Sequence, residues 1–137
     1  MNALSTATTS PIMPLYPAAH QRDNQRIVLP YLNRTVSVAV DDLICLQGEG
    51  NYTFLISRDG KRYLVSKTLK EFETTLDTTQ FVRVHKSHIV NLAYVRYNRM
   101  LDDRALLMAN GQEVPVSRRR AKAVFAEIQG YLNKTIN

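Results

Sequence analysis

One cysteine and three histidines in 137 residues leave little for redox or metal chemistry, and no apolar run approaches the roughly 20 residues that a membrane-spanning helix needs. Cys45 stands alone between Ile44 and Leu46, so no internal disulfide forms and the thiol is expected to be a small buried hydrophobe. The N-terminus has no basic stretch leading into a hydrophobic one. Secretion is therefore unsupported, and a cytoplasmic protein without membrane association is expected. His85 and His88 are three apart, a spacing that shares one face of a helix; in the extended segment expected here they point to opposite sides, and His20 lies in an N-terminal arm, so no metal or cofactor is expected. Ser, His and Asp are present without a pattern that joins a nucleophile, a base and an orienting acid, and no enzyme is expected. Gly48-Glu49-Gly50-Asn51 lacks the Gly-Lys-Ser/Thr ending of a phosphate-binding loop and reads as a strand connection. It leads into Asn51-Tyr52-Thr53, three side chains able to donate to phosphates or base edges.

What the chain does have is cationic charge in one place. The net charge is +6 and the pI about 9.7. Residues 1–80 hold eight Lys/Arg and eight Asp/Glu, residues 81–122 hold nine and three, and residues 123–137 hold one of each, so the excess lies wholly in 81–122. Such a balance suits nucleic acid or an anionic membrane surface. Membrane binding by the usual route needs an amphipathic helix with a dense basic face, whereas these cations cluster around expected strands and turns, which favours nucleic acid.

Residues 1–25 are rich in Ser, Thr, Ala and Pro, with Pro11, Pro14 and Pro17 at every third position. They read as a disordered or loosely packed arm, with Ile12, Met13, Leu15 and Tyr16 available as a strap; a polyproline ligand is the less favoured reading. One domain is expected over 26–137. Short strands are predicted at Ile27–Leu29, Val36–Val40, Leu43–Gln47, Tyr52–Ser57, Arg62–Val65, Tyr94–Asn98, Arg104–Met108 and Glu113–Val116, with two-residue hairpin turns at Asp59-Gly60 and Asn110-Gly111. Two helices are predicted. Thr68-Leu69-Lys70-Glu71 has capping-box spacing ahead of a Leu69/Phe72/Leu76 stripe. A C-terminal helix carries Ala121, Val124, Phe125, Ile128 and Leu132 on one face, with Ser117 as its N-cap and Gly130 near its end. Leu69, Phe72, Phe81, Ile89, Val90, Val114 and Val116 are expected in the core.

Four segments then fall in a telling order: Leu46-Gln47-Gly48-Glu49-Gly50-Asn51-Tyr52-Thr53, Thr68-Leu69-Lys70-Glu71-Phe72, Phe81-Val82-Arg83-Val84-His85-Lys86-Ser87-His88-Ile89-Val90-Asn91, and Val114-Pro115-Val116-Ser117-Arg118-Arg119. Singly each is weak; together, over residues 26–132, they resemble the LytTR DNA-binding domain of bacterial transcription regulators. The resemblance implies a mostly β fold of elongated, packed antiparallel sheets with one short internal helix and a C-terminal helix, binding double-stranded DNA through loops set into successive major grooves. It also implies contacts from the loops matching Glu49–Thr53, His85–Ser87 and Ser117–Arg120, and hence Asn51, Tyr52, His85, Lys86, Ser87, Ser117, Arg118, Arg119 and Arg120 as DNA-binding residues. Tyr52 or Asn51, Lys86 and Arg119 are the leading readers. Many members carry a phosphorylatable receiver domain ahead of this module, and here only about 25 residues precede it, which puts control by phosphorylation within this chain in doubt; a separate sensor or signalling protein is one candidate partner. A second copy on repeated half-sites is expected because so few contacts hold one half-site weakly.

Plainer roles exist for the same residues. Lys86 fits an ordinary surface lysine, His85 a packed residue that shapes its turn, and Ser87 and Asn91 turn caps. Arg118, Arg119 and Arg120 fit a solvated first helical turn, although three cations there oppose the helix dipole and ask for an anion. The rival function is a small β-rich protein-interaction module with a generic basic surface. RNA binding lacks the paired exposed aromatics on adjacent strands that stack bases, which Tyr52, Tyr94 and Tyr97 do not clearly supply.

Overall fold

The computed structural model describes residues 25–31, 34–96 and 104–136. β1 (Arg26–Tyr31) and β2 (Arg34–Ala39) pair as a hairpin of their own. β3 (Leu43–Glu49), β4 (Tyr52–Ser57), β5 (Arg62–Val65), β6 (Phe81–His85) and β7 (His88–Asn91) form an antiparallel sheet in the order β5-β4-β3-β7-β6, and β8 (Ala105–Leu107) pairs with β9 (Glu113–Pro115). The continuous run Leu43-Ile44-Cys45-Leu46 is buried throughout, as a central strand covered on both faces requires. On one face Leu46, Leu55, Ile89 and Phe81 pack with Leu29 and Val38 of the first hairpin and with Leu69, Phe72 and Leu76. On the other, Cys45, Ile56, Val84 and Val90 pack with Leu106, Met108, Val114 and Val116 of β8–β9 and with Val124 and Ile128. All seven residues expected in the core are buried, and so is Cys45.

The internal helix α1 (Leu69–Thr75) forms where its capping box places it. Glu71 N–H donates to Thr68 Oγ1 at 3.2 Å, and Thr68 N–H donates to a Glu71 carboxylate oxygen at 2.9 Å. That backbone donor holds the Glu71 carboxyl below the usual carboxylate range. Thr68→Ala is expected to cost about 1 kcal/mol, read as a lower urea midpoint with an unchanged slope.

Other expectations need correction. The Asp59-Gly60 and Asn110-Gly111 turns are three-residue loops, closed by Ser57 N–H to Lys61 O at 2.9 Å and Met108 N–H to Gln112 O at 2.8 Å. In each the glycine takes the last, left-handed position, with φ of 91° at Gly60 and 89° at Gly111. A 3₁₀ turn, Leu92–Tyr94, whose first free amide, Ala93 N–H, is capped by Asn91 Oδ1 at 3.0 Å, was not expected; the described part of the strand expected at Tyr94–Asn98 follows it, with Val95 bridged to Met108, Arg96 N–H donating to Leu107 O at 2.8 Å and Ala109 N–H donating to Tyr94 O at 2.7 Å. Ser117 does not cap with its side chain, and α2 (Ala121–Ile136) runs past Gly130, because one solvent-facing glycine costs a helix only about 1 kcal/mol. The Pro-spaced stretch, His20, Tyr97 and Met100–Asp103 lie outside the described residues.

Candidate nucleic-acid interface

Three turns from different parts of the chain are fastened together at one end of the sheet. The β3–β4 turn carries Asn51 and Tyr52, both exposed. The β6–β7 turn carries Lys86 and Ser87 between the cross-strand pair His85 and His88. The third segment, Ser117–Arg120, leads into α2. Gly48 N–H donates to Ser87 O at 2.8 Å and Ser117 N–H donates to Val84 O at 2.9 Å, so the middle turn is bonded to both neighbours through backbone alone. Gly48 also leaves little room for a side chain, since a Cβ there would sit 3.3 Å from Leu69 Cβ and the leucine would have to give by a few tenths of an ångström; α1 thereby packs closely on the strand leading to the first turn.

The middle turn has no glycine, and side chains hold it. Arg83 donates from Nη1 to Glu73 Oε1 of α1 at 2.8 Å, from Nε to His85 O at 3.3 Å and from Nη2 to Lys86 O. Its side chain is only 17% exposed, so this guanidinium is a bracket between helix and turn and not a free surface cation. On the other side Ser87 N–H donates to His85 Nδ1 at 3.1 Å, and Ser87 Oγ lies 2.9 Å from both His85 Nδ1 and His88 Nδ1. A single proton order satisfies all three contacts with neutral rings: His85 Nδ1 accepts from the amide and the hydroxyl, and His88 Nδ1–H donates to Oγ. His85 then carries its proton on Nε2 and presents a donor. The two imidazoles, expected on opposite sides, are neighbours with ring centroids 5.7 Å apart, because the tight turn closes a pair that an uninterrupted strand would separate.

Burial, and secondarily the charge of His85, pushes the His88 pKa below the ordinary value. Below about pH 6.5 the unfolded chain takes up a proton at this position that the folded chain resists, so stability falls with falling pH until the lowered folded pKa is reached. Urea midpoints measured between pH 7.5 and 5.5 are expected to decline, and to decline less in His88→Asn.

Of the remaining residues, Lys86, Arg118 and Arg119 are exposed, whereas Arg120 is half-buried. Arg120 lines a groove of about 230 Å³ together with Glu73, Arg83 and Glu127, on the flank of the turns. Ser117 Oγ is buried without a partner among the described residues. Thr53, read as a possible donor to DNA, is fully buried and donates to Lys67 O at 2.7 Å. Asn91 is buried too, donating to Leu43 O at 2.8 Å as well as capping its turn. Sequence reasoning overlooked Arg83 and His88 as site-shaping residues; their signal was the placement of Arg83 two residues before His85, on the same side of β6.

A family model of the LytTr DNA-binding domain matches residues 33–129, which include all three turns. The chain belongs to the LytTr DNA-binding domain family. This LytTr domain is 40% identical over 91 residues to the heme-containing CO-sensing transcriptional regulator RcoM 1 of Paraburkholderia xenovorans, a match covering 64% of the chain and 34% of that protein. It is 28% identical over 108 residues to the sensory transduction protein LytR of Streptococcus mutans, covering 74% of the chain and 42% of that protein. The chain thus spans about a third to two-fifths of these relatives. A solved LytTr DNA-binding domain from Bacillus cereus superposes with a TM-score of 0.64 at 24% identity, covering 77% of this chain and 96% of that one, which shows the shared fold. Among the described residues, no helix is long and apolar enough to cross a membrane.

Proposed function

We propose that this LytTr domain reads a specific double-stranded DNA sequence for a cytoplasmic bacterial transcription regulator, entering successive major grooves with its three turns and performing no catalytic step. The observation that supports this most is the pair of backbone hydrogen bonds, Gly48 to Ser87 and Ser117 to Val84, which hold the three turns as one unit. Arg119 fits bidentate reading of guanine O6 and N7, Lys86 and Arg118 fit phosphates, and Asn51 or Tyr52 reads a base edge or braces the backbone. His85 offers Nε2–H to a phosphate or base acceptor, with Ser87 orienting it; Ser117 positions the arginines, and Arg120 adds charge from the flank. Residues 26–137 form the DNA-binding unit in this reading.

Selection of duplexes from a random pool at about 150 mM salt tests the reading. Convergence on a motif repeated about one helical turn apart is expected, because two copies on adjacent half-sites place their turns on one side of the DNA. About four to six neutralised phosphates give a log–log salt slope near −4 to −5 for one bound copy. Failure to converge, with affinity equal for any duplex, would leave a generic basic surface.

A further inference from the structure

The turns that close β4–β5 and β8–β9 line a pocket at the end of β4 opposite the Asn51–Tyr52 turn. It has a volume of about 390 Å³ and is walled by Arg58, Arg62, Gln47, Asn110 and Gln112 with Ile56, Ser57 and Gly60. Among the described residues the only charged ones in the lining are the two arginines. Arg62 lies over the Phe54 ring, 4.5 Å from its centroid, and among the described residues no carboxylate pairs with it. Among the described residues, Asp42 and Asp59 lie nearby and neither lines the pocket. Asp42 sits 3.8 Å from Arg58, and Asp59 accepts from Lys61 N–H at 3.0 Å within its own turn.

The carboxamides are oriented by what holds their oxygens. Asn110 Oδ1 accepts from Gln112 N–H at 3.0 Å, and Gln112 Oε1 accepts from the Cys45 thiol at 3.4 Å. Burial pushes the Cys45 pKa up to about 12, so the thiol keeps its proton and remains a donor. With both oxygens occupied, Asn110 and Gln112 have their NH₂ groups left for the pocket, beside two guanidinium groups that have only donors. A concavity of this size lined mainly by donors is matched by an acceptor-rich anion small enough to enter it.

We infer that this pocket binds a small organic oxyanion, with a phosphate or carboxylate gripped by Arg58 and Arg62 and further oxygens held by the Asn110 and Gln112 amides. The site is separate from the DNA-reading turns and stands whether or not their assignment does.

The full chain, without DNA, is titrated with inorganic phosphate and separately with citrate at fixed ionic strength, following ¹H–¹⁵N signals. Saturable shifts of the Asn110 and Gln112 side-chain NH₂ groups and of Arg62 Nε–H are expected with at least one probe, and the probe that saturates first gives the class of anion. Arg62→Gln is expected to weaken that binding by about tenfold or more, the effect of losing a charge-assisted donor pair, while its other signals report an intact fold. Arg118→Ala/Arg119→Ala is expected to leave it unchanged. Shifts confined to Ser117–Arg120, or pocket signals that move without saturation for both probes, would overturn the assignment.

Discussion

Replacing Arg119 with alanine is expected to weaken binding to the selected duplex by about ten- to hundredfold, while binding to scrambled DNA falls much less. The residue is exposed in the 3₁₀ turn that begins at Arg118, with α2 fixing the turn from behind. A guanidinium presents a planar fork that matches the two acceptors of guanine, and one such base contact carries about 1–3 kcal/mol of discrimination. Arg119→Lys keeps the charge and loses the fork, so it is expected to restore non-specific affinity more than specific affinity. Arg118→Ala serves as the contrast: loss of a phosphate contact weakens all sequences alike and makes the salt slope shallower by about one. Fluorescence anisotropy with matched and scrambled duplexes checks both. Equal losses on the two duplexes in Arg119→Ala would move this residue to the backbone.

Arg83→Met is expected to lower both stability and DNA affinity, although Arg83 itself faces protein. The substitution keeps the aliphatic stem and removes the donors to His85 O, Lys86 O and Glu73. Losing charge-assisted bonds to a half-buried turn is worth about 1–3 kcal/mol, on the order of 5–15 °C in Tm for a domain of this size. The turn would then sample geometries other than the one that presents His85 and Lys86. Affinity therefore falls with an unchanged salt slope, because no phosphate contact has been removed. Glu73→Gln retains an acceptor for Arg83 and is expected to do less. Differential scanning calorimetry alongside salt-dependent titration separates this bracket from direct contact: a slope shallower by about one, with an unaltered Tm, would mean that Arg83 touches the DNA.

Features set by nearby residues were legible in the sequence. The capping box needs only Thr68 and Glu71 three residues apart, and it forms as expected. The strand expected at Leu43–Gln47 forms within Leu43–Glu49, and the stripes of α1 and α2 identified the faces they bury. The β6–β7 turn was harder, because its Lys86-Ser87 tip lacks the glycine or asparagine that usually signals a turn, and its support comes from Arg83, His85 and His88 side chains. For the same reason the two histidines, placed apart by strand alternation, meet. The 3₁₀ turn Leu92–Tyr94 was missed because the local composition gives no hint that Asn91, fixed 48 residues away on Leu43 O, also caps it. At the interface, the resemblance named the three turns from their residues, while the backbone bonds joining them depend on sheet order, which composition does not encode.

Whether the three turns meet DNA together is tested most directly by amide chemical-shift mapping of the chain with the selected duplex. The largest shifts are expected at Asn51–Tyr52, His85–His88 and Arg118–Arg119 at once, with β1–β2 silent. Shifts concentrated on the first hairpin or on the outer face of α2, with those turns unmoved, would contradict it.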